Sequence, residues 1–140
     1  MLTVIIDART RAAQLPVLLG QLTAGAVDGL VRQVLILAVT DQPGIAEICE
    51  DMGAGAHTNF EDAAKAARAE WLLVLSADFR LRDGWIGTLN VHLALGKREA
   101  VMAGLAGRGV LVERRRALGL EGTDLNRLRW GLGLWPRRVG

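Results

Sequence analysis

The sequence predicts an α/β fold: a mostly parallel central sheet with helices on both faces. Three observations carry that expectation. Short, continuous apolar runs alternate with stretches of helical apolar spacing, the order that builds parallel sheets through crossover helices. The runs are hydrophobic throughout, without alternation, as strands covered on both faces are. The chain has 140 residues, 51% of them hydrophobic, enough to fill one sizeable interior. A single domain spanning residues 1–140 is therefore expected.

The first strand is Leu2-Thr3-Val4-Ile5-Ile6, ending at Asp7. Ala12, Leu15, Leu18, Leu19 and Leu22 then recur at helical spacing, with Gly25 beyond them as the expected stop. A second buried strand runs from Val34 to Val39 and closes on the turn Thr40-Asp41-Gln42-Pro43-Gly44. Ile45, Ile48, Cys49 and Met52 mark an amphipathic helix stopped by Gly53, and a short strand around Ala56-His57 follows. Phe60, Ala63, Ala64 and Ala67 form a small-residue helix face able to approach a sheet closely. Trp71-Leu72-Leu73-Val74-Leu75 is the clearest strand, and it runs into Ser76-Ala77-Asp78. Trp85 to Leu95 reads as a helix, Ala100 to Gly104 and Val110 to Glu113 as weaker strands, and Leu125 to Trp130 as a helix before an irregular tail.

Composition excludes several classes. One cysteine, Cys49, allows no internal disulfide, and its neighbours at helical spacing make it a core residue rather than a nucleophile. No stretch approaches the roughly 20 apolar residues of a membrane-spanning helix, and no basic segment precedes the first apolar run as in a signal peptide. A cytoplasmic protein is expected. The formal charge of +2 conceals an asymmetry: residues 1–96 carry seven Lys/Arg against eleven Asp/Glu, whereas 97–140 carry ten against four. A basic end fits phosphates, anionic lipid or an acidic partner, or simply a solvated arginine-rich surface. Nucleic acid is not expected, since Arg114-Arg115-Arg116 has no interleaved aromatics.

Open α/β sheets bind ligands at the carboxyl ends of their strands. Asp7, Asp41 and Asp78 each follow a strand, and share one sheet edge if those strands are parallel. Carboxylates there are suited to Mg²⁺ or Mn²⁺, which prefer oxygen ligands. Alternatively, Asp78 merely caps the next turn. The turn Asp7-Ala8-Arg9-Thr10-Arg11 holds no glycine-rich phosphate cradle, and Gly104 to Gly109 reads as a loop. His57 and His92 match no metal-ligand spacing, and no nucleophile elbow occurs. Response-regulator receivers cluster acids in a similar way, but they place an acidic pair after the first strand, which is absent here, and no late lysine matches theirs.

In order along the chain, these segments resemble a family-2 glycosyltransferase of the GT-A fold, in a short bacterial form. Leu2 to Ala8 sits where that family has a "SVIIPTLN"-like strand, and Leu15-Pro16-Val17-Leu18-Leu19 matches "LPxLL". Val34-Leu35-Ile36-Leu37 corresponds to the strand before "DGGSTDGT", with Thr40-Asp41 on its "TD". Ala67 through Asp78 matches "ARGDWLLFLHADT", and Arg82-Asp83-Gly84-Trp85 matches "PPGW". Gly109 to Arg114 resembles "GLFVRR", and Leu120 to Leu125 takes the place of "MEDVEL".

The resemblance implies transfer of a sugar from a nucleotide-sugar donor to an acceptor, lipid-linked or small. Asp78 would hold a divalent cation (Mg²⁺ or Mn²⁺), Asp7, Asp41 and Ser76 would line the donor site, and Glu121 or Asp124 would deprotonate the acceptor. Three positions depart from the family pattern. Ala38 stands where the nucleoside-contacting aspartate belongs, Ser76 replaces the first acid of a D-x-D, and Gly122 occupies the place of the base. A catalytically degenerate relative acting as a binding or partner module is the alternative. Nucleotidyl transfer stands behind both, because its first-strand loop should be rich in glycine and lysine. The tail Leu128 to Arg138 mixes Trp, Leu and Arg, as interfacial membrane segments do. Tryptophans folded back on the domain, or seated in a homodimer seam, explain it better.

Overall fold

The computed structural model describes residues 1–95, 100–102, 109–118 and 138–139. Its elements are β1 (Leu2–Asp7), a 3-10 turn (Ala12–Gln14), α1 (Leu15–Asp28), β2 (Val31–Leu37), α2 (Ile45–Met52), β3 (Gly55–His57), α3 (Phe60–Ala66) and β4 (Trp71–Ser76). They are followed by α4 (Trp85–Leu95), β5 (Ala100–Met102), β6 (Gly109–Glu113), α5 (Arg114–Leu118) and β7 (Arg138–Val139). The strands form one sheet in the order β3-β2-β1-β4-β6-β5-β7. β1 pairs in parallel with both β2 and β4, and β2 with β3, while β6 runs antiparallel to β4 and to β5.

Alternate side chains on each strand feed two cores. Leu2, Val4 and Ile6 of β1 join Leu73 and Leu75 of β4 on one face, under Leu15, Leu18, Leu19 and Leu22 of α1, Ile45 of α2, and Trp85 and Leu89 of α4. Ile5, Leu35, Leu37, Leu72 and Val74 point the other way, onto Phe60, Ala63 and Ala64 of α3 and Ala117 of α5. Covering on both sides explains why β1 and β4 are apolar at nearly every position. The α/β expectation is met.

The exceptions are informative. The first helix does not stop at Gly25 but runs to Asp28, ending at Gly29, whose φ of 89° only glycine adopts readily. Gly25 serves close packing instead: a Cβ there would overlap the Trp85 ring and come within 2.8 Å of Val31 Cγ2. The second strand begins at Val31 and ends at Leu37, earlier than the apolar run suggests, because its start pairs with Leu2 of β1. The helix expected over Leu125 to Trp130 lies outside the described residues.

Polar groups are tied down where the chain enters the sheet. Buried Thr3 donates to Gln33 Oε1 (3.0 Å) and accepts from the Ala69 amide (3.3 Å). α3 starts at Asn59, whose side chain accepts from the Asp62 amide at 2.8 Å. It ends against Arg114, which donates to the Ala64 and Lys65 carbonyls, both at 3.0 Å. Arg114 thus caps a helix C-terminus, where carbonyls lack partners and a positive charge is favoured. Arg115 pairs with Glu113 at 3.3 Å. That part of the basic run is spent on intramolecular contacts.

Candidate functional site

In this strand order the chain moves outward from β1 to β2 and β3, then returns across β1 to place β4 on its other side. In open α/β sheets such a reversal is where the loops at the strand carboxyl ends diverge and ligands bind. The loop after β1 carries Asp7, that after β2 carries Asp41, and that after β4 carries Asp78. Because the three strands are parallel, all three acids stand at one edge.

Backbone bonds extend the ladder one residue beyond each strand and fix where these loops depart. The Ala8 amide donates to Leu37 (2.9 Å), Ala38 to His57 (2.9 Å) and Ala77 to Asp7 (3.2 Å). Gln42 then staples two of the loops, donating to the Ala8 carbonyl at 2.7 Å and accepting from the Val39 amide at 3.0 Å. Beside it lies a cleft of about 270 Å³ lined by Ala38, Asp41, Gln42, Ile45, Ala46 and His57 among others. It is mostly apolar with polar groups at its rim, and its size suits a flat heterocycle better than a whole sugar nucleotide. Ala38 itself brings no carboxylate to the cleft, whose lining has Asp41 as its acid.

Each carboxylate has its own surroundings. Asp7 is clamped by Arg9, whose amide and Nε donate to Oδ1 (3.1 and 3.0 Å) and whose Nη2 donates to Oδ2 (2.8 Å). Asp78 accepts from Arg11 Nη1 at 2.9 Å, across 67 residues of sequence. Asp41 lines the cleft with a backbone φ of 59°, and its side chain enters no ion pair among the described residues. Ser76 ends β4 opposite Asp7. Glu121 and Asp124 lie outside the described residues. Among the described residues, no three acid, histidine or cysteine side chains gather as a metal would require. Burial pushes the Cys49 thiol up, away from the thiolate a nucleophile needs.

The two arginine pairs differ in strength. Arg9 and Asp7 are each about one-fifth exposed and share a fork geometry, so their bond is hard to exchange. Arg11 is 69% exposed, and ion pairs of that kind contribute about 0–1 kcal/mol. A third guanidinium, Arg80, donates to the Phe79 carbonyl and to Gln14 Oε1, both at 2.7 Å. These arginines were the part of the site that sequence reading missed. The signal was in plain view: two arginines within four residues of Asp7, where a glycine cradle would otherwise stand.

A divalent cation of the kind the resemblance implies fits this donor set poorly. Ser76 supplies no charge where a second acid would stand, and the Asp78 carboxylate already faces a guanidinium that would repel the metal.

No protein-family model matches the chain, and no curated protein matches it. Solved structures do. Mannosyl-3-phosphoglycerate synthase from Rubrobacter xylanophilus is similar with a TM-score of 0.63 and 17% identity, over 82% of this chain and 54% of that one. Glucosyl-3-phosphoglycerate synthase from Mycobacterium tuberculosis, in complex with Mn²⁺, UDP and glucosyl-3-phosphoglycerate, has a TM-score of 0.66 and 13% identity, over 99% and 68% of the two chains. A nucleotidyl transferase from Methanothermobacter thermautotroptrophicus reaches 0.62 at 13% identity, over 100% and 86%. The chain spans about half the length of the first of these. Its α/β fold is thus the GT-A-like fold of nucleotide-diphospho-sugar transferases, shared with nucleotidyltransferases. No helix of the described residues is long and apolar enough to cross a membrane.

Proposed function

We propose that this protein is a glycosyltransferase-like member of the GT-A fold, in the manner of family 2, taking a nucleotide-diphospho-sugar as donor. The observation that carries this reading is the cleft beside Ala38 and Gln42, which opens at the carboxyl ends of β2 and β3 and is tied through Gln42 to the loop after β1. A nucleobase would enter the cleft and the diphosphate would lie along the loops after β1 and β4. In that arrangement Asp7, Asp41 and Ser76 frame the donor. A base, Glu121 or Asp124, takes the proton of the acceptor hydroxyl as its oxygen bonds to the anomeric carbon. The bond from that carbon to the phosphate oxygen breaks, and the nucleoside diphosphate leaves with the electron pair.

The competing reading is a nucleotide-sugar binder without chemistry. Gly122 at the expected base position and Ala38 at the expected nucleoside contact favour it. General-base catalysis supplies about 10²–10⁴ in rate, so losing it outright would leave binding with scarcely any transfer.

Two measurements separate the readings. Calorimetric titration with UDP-glucose and GDP-mannose tests binding, and Ala46→Trp, which fills the cleft from its exposed rim, should abolish it in a folded protein. Release of nucleoside diphosphate with 3-phosphoglycerate or water as acceptor tests transfer, which Glu121→Gln or Asp124→Asn should reduce about 100-fold. Binding without release leaves only the binder, and binding that survives Ala46→Trp removes the cleft from the account.

A further inference from the structure

Given the nucleotide-sugar reading above, on which this rests, we infer that the donor's diphosphate is balanced here by guanidinium groups, Arg11 foremost, in place of a divalent cation. Both acids at the carboxyl ends of β1 and β4 already hold a cation of the protein's own: Arg9 on Asp7 and Arg11 on Asp78. A resident metal at Asp78 would have to expel Arg11 and tolerate its charge close by. A phosphate has the opposite preference.

Arg11 is built for that task. A guanidinium carries five N–H donors in a planar fork matched to phosphate oxygens, and among the described residues only one of them is engaged. The rest of the group faces solvent, so it can take a phosphate while still paired with Asp78. Its backbone is held in the left-handed region, φ 58° and ψ 32°, unusual for a residue with a side chain. That conformation aims the side chain from the loop after β1 across to the loop after β4.

Arg80 reinforces the arrangement from the other side. It bonds Gln14, whose own amide donates to the Arg11 carbonyl at 3.0 Å, so the two arginines are anchored to one turn. Arg9 and Arg11 thus bring guanidinium charge to Asp7 and Asp78 without any metal, although residues 1–96 are acidic as a whole.

The test is calorimetric titration of the full chain with UDP, UMP and uridine, in EDTA and in excess Mn²⁺, repeated with the guanosine series. The expected result is diphosphate binding in EDTA, within about threefold of that in Mn²⁺, and a loss of at least about tenfold in Arg11→Ala. Nucleoside affinity should not change. Arg11→Gly suits the left-handed backbone and must show the same loss, which separates missing charge from a disturbed loop. Arg11→Lys should recover part of it, and Asp78→Asn should leave diphosphate affinity within about threefold. Binding only in Mn²⁺, abolished by Asp78→Asn, overturns the inference while leaving the nucleotide reading intact. No binding of nucleoside or diphosphate in either medium overturns both.

Discussion

At the scale of single residues, the same type of amino acid does opposite work at different places. Gly29 ends a helix because its backbone turns left-handed, whereas Gly25 sits inside that helix because nothing larger fits beneath Trp85. Sequence alone offers Gly25 as a stop, since a glycine after a periodic run normally is one. The ring that explains it is supplied from 60 residues further along. Gly25→Ala should therefore destabilise the protein by about 1–3 kcal/mol despite the better helix propensity of alanine. Chemical denaturation would show this, and an unchanged or raised midpoint would mean that the Trp85 ring shifts without cost. Arg11 makes the converse point: a bulky residue holds a left-handed conformation more usual for glycine.

At the scale of elements, the sheet is locked by a few polar contacts at strand entrances. Thr3 is fully buried in β1 and connects Gln33 after the start of β2 with the Ala69 amide just before β4, binding three adjacent strands at one end. Thr3→Val keeps the shape but leaves the Ala69 amide unsatisfied in the interior. It should cost about 1–3 kcal/mol, read as a lower midpoint in urea at unchanged slope. No loss would mean that water replaces the hydroxyl. α3 shows how an apparent surface charge becomes structural. Its inner face was legible in Phe60, Ala63, Ala64 and Ala67, but Arg114 at its end comes from beyond β6, and no local pattern announces that contact.

At the scale of the whole molecule, order of stability and placement of the site are linked. β1 and β4 are paired on both sides and covered on both faces, whereas α2 buries fully only Ile45 and β3 pairs on one side alone among the described residues. Amide hydrogen exchange should be slowest in β1 and β4 and distinctly faster in α2 and β3, which form one wall of the cleft. A nucleotide that binds there should then slow exchange selectively in α2 and β3. Equal protection of α2 and β4 in the free protein would contradict this picture.

The order of strands and helices, and the three acids at the strand ends, were already written in the chain. Periodicity and apolar runs are local properties, and a parallel sheet aligns its carboxyl ends whatever the details. The sequence likewise showed that Ala38 and Ser76 bring no carboxylate to this edge. Which charges meet was decided only by the fold. Asp78 looks like a cation ligand beside its own strand, yet it faces Arg11 from the loop after β1, because β4 returns to lie next to β1. Pairing across 67 residues depends on strand order and loop direction, and neither is encoded in the spacing of the residues that meet.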